Sequence, residues 1–426
     1  MRRFTDSTQG GRTRRTFLAL AGAGATALAG CAGLSGSGGS TKSGASGGSA
    51  TGSQSGGASS TSVDSAGTLD DFEDLGRWQT LGGSVTADSQ EKQTGSQSAR
   101  VEAKKSERLG GIARSVDGLD LSKFDLSAAV KLEQPAEGSV RRLAAVAVTS
   151  GGKVVMKRYL GDTLDEWVRV DFGVTSESGD PDPSTVKELR LMVVAGEETP
   201  VKFWVDDLRL VPKPEEAYAI FGLDNTRGSH YDTAFKVLQE KGYPAVEGVN
   251  PRSVGGENYL SLDELRKMHD AGWDIASQPQ NADPLPTFEK AKQRQIIEDA
   301  HSYLQERGLG GEHFLAPYHQ LSGETLDILA DVHEMGFTFG AAPTPLGATG
   351  QYTISRVNGD SRKGLRKLGP LAKKYNQTVT MYFPEIKEGG DMDEPEFREV
   401  VGIIEDAGLK PITATTFQQK MKQLRG

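Results

Sequence analysis

Three stretches of different hydrophobic rhythm follow one another along the chain. Between residues 68 and 212, apolar and polar positions alternate in short runs at 98–103, 143–148, 167–172, 188–194 and 201–206. Alternation of period two at this spacing predicts an all-β sandwich. After the proline-bearing joint at 211–215 the rhythm changes, and residues 213–426 read as strands alternating with helices. Apolar strands are expected at 217–224, 245–249, 274–277, 313–318, 337–340, 378–383 and 411–414. Tyr231, Ala234, Phe235 and Leu238 fall on one helical stripe ahead of Gly242. Ser261 and Glu264 have capping-box spacing and open a helix that Gly272 closes. A long helix is expected over 287–307, another ending near Gly336, and a last one between Pro395 and Gly408. Such a repeat winds into an open sheet or closes into a barrel, with its chemistry at the carboxyl ends of the strands. Asp224 ends the first of them.

The remaining stretch, at the amino terminus, has no such rhythm. Thr13-Arg14-Arg15-Thr16-Phe17-Leu18 is a twin-arginine pattern, and residues 18–29 are a weakly apolar run of Ala, Leu and Gly. That run is shorter than the roughly 20 residues a spanning helix needs. It fits the core of an export signal. It ends in Leu28-Ala29-Gly30-Cys31, which resembles a bacterial lipobox and implies lipid on Cys31. Cys31 is the only cysteine, so intrachain disulfides and cysteine metal clusters are excluded. The alternative is an uncleaved signal anchor. Residues 32–67 are Gly, Ser, Ala and Thr with little charge, a tether rather than a fold. The expectation is export by the twin-arginine route and a lipid anchor on the outer face of the membrane. A formal charge of −9 becomes −13 once residues 1–30 are removed, which argues against nucleic acid as a partner.

In the sandwich region, Asp71-Phe72-Glu73-Asp74 with Trp78, and the closing run from Phe203 through Asp206-Asp207-Leu208 to Leu210, resemble jelly-roll carbohydrate-binding modules. The resemblance implies a structural calcium held by Glu73 and by Asp206 or Asp207, since calcium takes several hard oxygens. In the competing reading these acids only solvate strand ends. Trp78, Trp167 and Trp204 are candidate sugar platforms, but each sits in or beside an alternating strand, where a core role competes.

The landmarks of 217–426 resemble the polysaccharide deacetylase (NodB-homology) family, a distorted (β/α) barrel whose members deacetylate glycans with a divalent metal. The family's first motif is a strand ending in Asp-Asp, base then metal ligand; here it reads Asp224-Asn225. Its second motif supplies two metal-binding histidines; here the lead-in 272–277 is kept, but Gln278 and Ala282 stand at those places. Its third carries an arginine that orients the base; Leu315 takes that place, ahead of Pro317-Tyr318. Its late strand ends in a histidine acid; Tyr382 or Phe383 stands there. Asn, Gln and Ala offer at most weak amide oxygens where the family uses a carboxylate and two imidazoles. No cofactor is therefore expected in the barrel, and fold resemblance alone does not carry activity.

All six histidines lie in this region. His230 and His319 fall on loops at the expected mouth, where Asp224 with either of them, and with Tyr318 and Tyr382 nearby, makes a candidate acid–base set. The alternative is that both are solvated loop residues. His269, His301 and His333 read as surface or packing residues, and His313 as a residue on the wrong edge. Asn225, Gln278, Tyr318 and Tyr382 are the candidate substrate contacts. The expected function is glycan recognition by a surface lipoprotein on a degenerate deacetylase-type barrel. The alternatives are a divergent glycan deacetylase or hydrolase using Asp224, and a structural protein of envelope assembly.

Overall fold

The computed structural model describes residues 66–425 except 136–141, 162–165 and 195–198. The expected export signal, Cys31 and the expected tether as far as residue 65 lie outside the described residues. Everything described belongs to one compact unit.

Twelve strands come first among the described residues: β1 (Gly67–Asp70), β2 (Gln79–Gly82), β3 (Ser84–Asp88), β4 (Ser98–Ala103), β5 (Leu109–Leu119), β6 (Phe124–Gln134), β7 (Arg142–Val148), β8 (Gly152–Tyr159), β9 (Val168–Phe172), β10 (Val174–Gly179), β11 (Val186–Val194) and β12 (Val201–Pro212). They form two six-stranded antiparallel sheets. One runs β3-β4-β12-β6-β9 with β1 also on β12; the other runs β10-β8-β7-β11-β5-β2. Alternation selects the residues between the sheets. Leu126, Val130, Leu132 and Phe203 of the first sheet share one buried core with Ile112, Leu189 and Leu191 of the second. Each such side chain contributes roughly 1.5–3 kcal/mol when fully buried.

β6 breaks the alternation, because residues 124–130 are buried without interruption. Its outer face is covered by the second half of the chain. Asp125 accepts from Gln377 Nε2 at 2.7 Å and from Lys213, and the Ser127 and Thr349 hydroxyls meet at 2.6 Å.

The second half holds β13 (Tyr218–Leu223), β14 (Val246–Val249), β15 (Asp274–Ser277), β16 (Gly310–Leu315), β17 (Met335–Phe339), β18 (Ile354–Asn358), β19 (Thr378–Phe383) and β20 (Lys410–Pro411). Strands β13 to β19 run parallel and close into a seven-stranded barrel, since β13 pairs with both β14 and β19. β20 is a short addition at the amino end of β13. Every residue of β13 is buried, as a strand covered on both faces requires. The helices are α1 (Lys236–Gln239), α2 (Leu262–Asp270), α3 (Lys290–Gln305), α4 (Gly323–Val332), α5 (Arg362–Lys374), α6 (Glu394–Asp406) and α7 (Ala414–Arg425). The capping box closes as its spacing predicts, with Ser261 N–H on Glu264 at 2.8 Å and Glu264 N–H on Ser261 at 3.3 Å.

Three elements differ from expectation. The strand expected over 313–318 is β16 and stops at Leu315, because Pro317 has no N–H for a ladder and opens a turn. The stripe at 231–238 begins as a π-helical turn, His230–Phe235. The strand expected at 411–414 is the two-residue β20, and Ala414 already begins α7.

Candidate functional site

Asp224 is the first residue beyond β13, and its N–H extends the ladder to Phe383 O at 2.9 Å. The next two residues, Asn225 and Thr226, have φ of 79° and 59°. Asn tolerates left-handed backbone, but a β-branched Thr there is strained. Neighbours hold it: Thr226 N–H donates to Gly248 O at 3.1 Å, and its Oγ1 accepts from Asn250 N–H at 2.7 Å. The reversal brings Asn225 N–H onto Gln278 Oε1 at 2.7 Å. A second left-handed pair, Tyr318 and His319 with φ of 56° and 59°, follows β16. Strain of this kind gathers where surrounding structure over-determines the backbone.

The centre of the mouth is an ion pair the sequence did not disclose. Arg356, on β18, donates from Nη1 to Asp224 Oδ1 at 2.8 Å, with side-chain exposures of 0% and 8%. Its Nη2 lies 3.0 Å from His319 Nδ1 and 3.4 Å from Ala316 O. A guanidinium only donates, so His319 accepts at Nδ1 and carries its hydrogen on Nε2. Burial, reinforced by Arg356, pushes the His319 pKa well below the ordinary imidazole range. The arginine that the resemblance implies at 315 is absent, but Asp224 is not without an arginine partner. Leu315 fills the expected position, and Arg356 makes the contact from another strand.

His230 meets a different partner. Its Nδ1 lies 3.0 Å from both carboxylate oxygens of Glu247, a residue of β14, and both side chains are fully buried. Burial raises the Glu247 pKa to about 7; His230 opposes that rise and Asp224 adds to it. The other nitrogen of His230 has no partner. His230 is thus a core residue behind the mouth, not a solvated loop residue.

Tyr382 lies beside His319 at 4.6 Å between ring centroids, with the Arg356 guanidinium 5.5 Å from its ring. Burial pushes its pKa up to about 12, with Asp224 and Asp360 adding to the rise. Tyr318 points elsewhere: it is exposed, and its hydroxyl donates to Asn281 O at 2.6 Å. The mouth therefore brings together Asp224, Asn225, Gln278, His319 and Tyr382, sets His230 behind them, and leaves Tyr318 at the rim. A run of partly buried rings leads outward from Tyr382. Phe339 lies 6.3 Å from it and 5.7 Å from His319, and Tyr159 of the sandwich lies 5.9 Å from Phe339.

A divalent ion of the deacetylase kind does not fit this mouth. The Gln278 carbonyl oxygen is taken by the Asn225 N–H, Ala282 brings no ligand atom, and Asp224 Oδ1 is held by Arg356. In the sandwich, the oxygens expected to bind calcium have protein partners. Asp206 Oδ2 accepts from the N–H groups of Gln93 and Thr94, both at 2.8 Å. Glu73 Oε1 accepts from Ser96 N–H at 2.7 Å, and Asp207 pairs with Arg169 and Arg209. Trp78 and Trp204 are buried and donate to Asp70 and Asp88 at 3.2 and 2.9 Å; Trp167 is half-buried.

Arg356 and Glu247 were not among the residues read from sequence. The one signal for Arg356 was a charged residue between Ser355 and Val357 in the short segment from Ile354 to Asn358. For Glu247 it was an acid inside Ala245-Val-Glu-Gly-Val249. Both are charges where a buried strand should have none.

No protein-family model and no curated protein matches the chain. Among solved structures, the chain is similar to a Streptococcus pyogenes deacetylase in complex with acetate, at 19% identity and a TM-score of 0.30. That match covers 32% of this chain and 62% of the deacetylase, less than two thirds of its length. It is similar to a CE4 family pseudoenzyme from Bacillus anthracis at 14% identity and a TM-score of 0.36, covering 49% of this chain and 67% of the other. A family 11 carbohydrate-binding module from Clostridium thermocellum, in complex with a β-1,3-1,4-mixed-linked tetrasaccharide, matches at 18% identity and a TM-score of 0.27. It covers 34% of this chain and 95% of the module. None of these likenesses carries a residue role or an activity to this chain.

Proposed function

We propose that the chain is an exported, lipid-anchored protein that binds glycan at the barrel mouth without metal-dependent deacetylation. The observation that carries the non-metal part is the Asp224–Arg356 pair, together with the Gln278–Asn225 hydrogen bond. Asp224 is paired with Arg356, and the Gln278 side-chain oxygen accepts from the Asn225 backbone N–H. The glycan part rests on the resemblance read in the sequence and on the partly buried rings from Tyr382 to Tyr159, whose faces suit the apolar faces of sugars.

One observation favours a catalytic reading. Arg356 gives Asp224 an arginine contact of the kind the resemblance implies for a base, with His319 Nε2–H beside it.

The test is acetate release and glycan binding by the chain from Thr68 onward, with Asp224→Asn alongside. Glycan binding without acetate release, retained in the variant, supports the proposal. Acetate release that disappears in Asp224→Asn overturns it in favour of a rewired esterase or amidase.

A further inference from the structure

We infer that the chain carries a divalent-metal site on the outside of the barrel, formed by His301 and His333 with a carboxylate from Glu312 or Glu334. It is separate from the mouth and independent of the glycan reading.

A cavity of about 390 Å3 lies where α3 and α4 end against the starts of β16 and β17. The charged side chains lining it are Glu312, Asp331 and Glu334, and neither Lys nor Arg lines it. Gln305 and Val332, the last residues of α3 and α4, are at its wall, so two helix carboxyl ends face it. Such ends carry partial negative charge. Asp331 and Glu334 are already paired with Arg294 and Lys422 at 2.5 and 3.1 Å, which leaves Glu312 as the lining acid without a basic partner among the ion pairs of the described residues.

The two imidazoles say which kind of cation the cavity suits. His301 Nδ1 lies 2.9 Å from Gly311 O; a carbonyl only accepts, so Nδ1 bears the hydrogen and Nε2 is left bare. A histidine fixed in this way through its far nitrogen is arranged as metal-ligating histidines are. His333 is 5% exposed, and neither of its ring nitrogens has a partner. A buried imidazole without hydrogen bonds is an exception to the pairing of buried polar groups, and a bound ion is one partner that would satisfy it. The two rings are 5.1 Å apart between centroids and inclined at 71°.

The carboxylates complete the set after a change of rotamer. As the side chains stand, no three His, Cys, Asp or Glu among the described residues are gathered to hold an ion. Glu334 N–H donates to Glu312 O at 2.7 Å, so the two acids are neighbours on adjoining strands. Glu312 Oε1 accepts from Gln305 Nε2 at 3.1 Å and Glu334 from Lys422 at 3.1 Å, both exposed, while Glu334 also accepts from the buried Gln418. Exposed contacts of this kind hold a side chain weakly. Imidazole nitrogen with carboxylate oxygen selects zinc, nickel or copper over calcium and magnesium. The bound ion would tie the end of α3 to the β16–β17 edge.

The test uses the full chain made without a histidine tag and stripped with chelator. Titration with Zn2+ should show one saturable equivalent and raise the thermal midpoint. His301→Gln should weaken that equivalent about tenfold or more, as should His333→Gln. Electron paramagnetic resonance of bound Cu2+ should show two imidazole nitrogens in the unaltered chain, a readout independent of any variant's folding. Absence of a saturable equivalent overturns the inference. So does Zn2+ binding of unchanged strength in His301→Gln and His333→Gln, or a Cu2+ spectrum without nitrogen coupling.

Discussion

Arg356 and Asp224 meet at 2.8 Å across the barrel mouth although β19 separates their strands. Arg356 spans that gap beneath Tyr382 and spends its second amino group on His319. A buried pair of this kind adds little net stability over an apolar replacement, but removing one member leaves the other charged and unpaired.

Arg356→Met should therefore cost about 3–5 kcal/mol. The double variant Arg356→Met with Asp224→Leu should recover most of that loss. Urea unfolding of the single and double variants measures it. A double variant as unstable as Arg356→Met would show that pairing is not the source of the cost.

What was readable in the sequence followed from periodicity. β13, β14, β15 and β19 are apolar runs ending at turn residues, and the position of Asp224 follows from the end of β13. β18 carries Ser355 and Arg356 among its five residues, so it shows neither a clean apolar run nor a two-sided alternation. α5 was hidden for another reason: Pro370 lies inside it, and a proline there ordinarily ends a helix. The His230–Glu247 contact joins residues 17 positions apart that only strand closure brings together. β6 lost its alternation because a second body covers its outer face, which no local pattern records.

Glu247 sets a pH dependence. Its folded pKa of about 7 lies above its ordinary 4.5, so between those values the folded state holds more protons than the unfolded one. Stability associated with the protonated carboxyl is full below about pH 4.5 and is lost as pH rises toward 7, by roughly 3 kcal/mol. Glu247→Gln should remove that part of the slope. Unfolding free energies of the two proteins across this window should converge at low pH and diverge, with the variant more stable, toward neutrality. Parallel curves would reject the assignment.

His319 should stay neutral through the range where histidines usually titrate. Arg356 donates to its Nδ1, and both burial and that positive charge oppose protonation. The expected result is an imidazole resonance that stays fixed between about pH 8 and 5, where an unperturbed histidine changes. Arg356→Met should restore some titration. A His319 signal moving with a midpoint near 6.5 in the unaltered chain would contradict the hydrogen bond.

The junction between sandwich and barrel turns on a glycine. Gly173 sits between β9 and β10, and a Cβ there would lie 1.8 Å from the carbonyl oxygen of Pro343. That neighbour is backbone, so it cannot swing away. Around it, Asp171 accepts from Thr349 N–H at 2.9 Å and Gly350 N–H at 2.7 Å, and Val174 N–H donates to Gln377 at 2.8 Å. A methyl at 173 must push the two bodies apart and loosen these bonds together. Gly173→Ala is expected to cost at least about 1–3 kcal/mol, the usual range for overpacking. Gly402→Ala makes the matched control: it lies within α6 and its added Cβ meets nothing within 4 Å. That change should stabilise by about 0.5–1 kcal/mol through helix propensity. Calorimetry of the two variants should show midpoints moving in opposite directions. A Gly173→Ala midpoint equal to that of the unaltered chain would mean the junction gives way without loss, and the sandwich would then not be rigidly seated on the barrel.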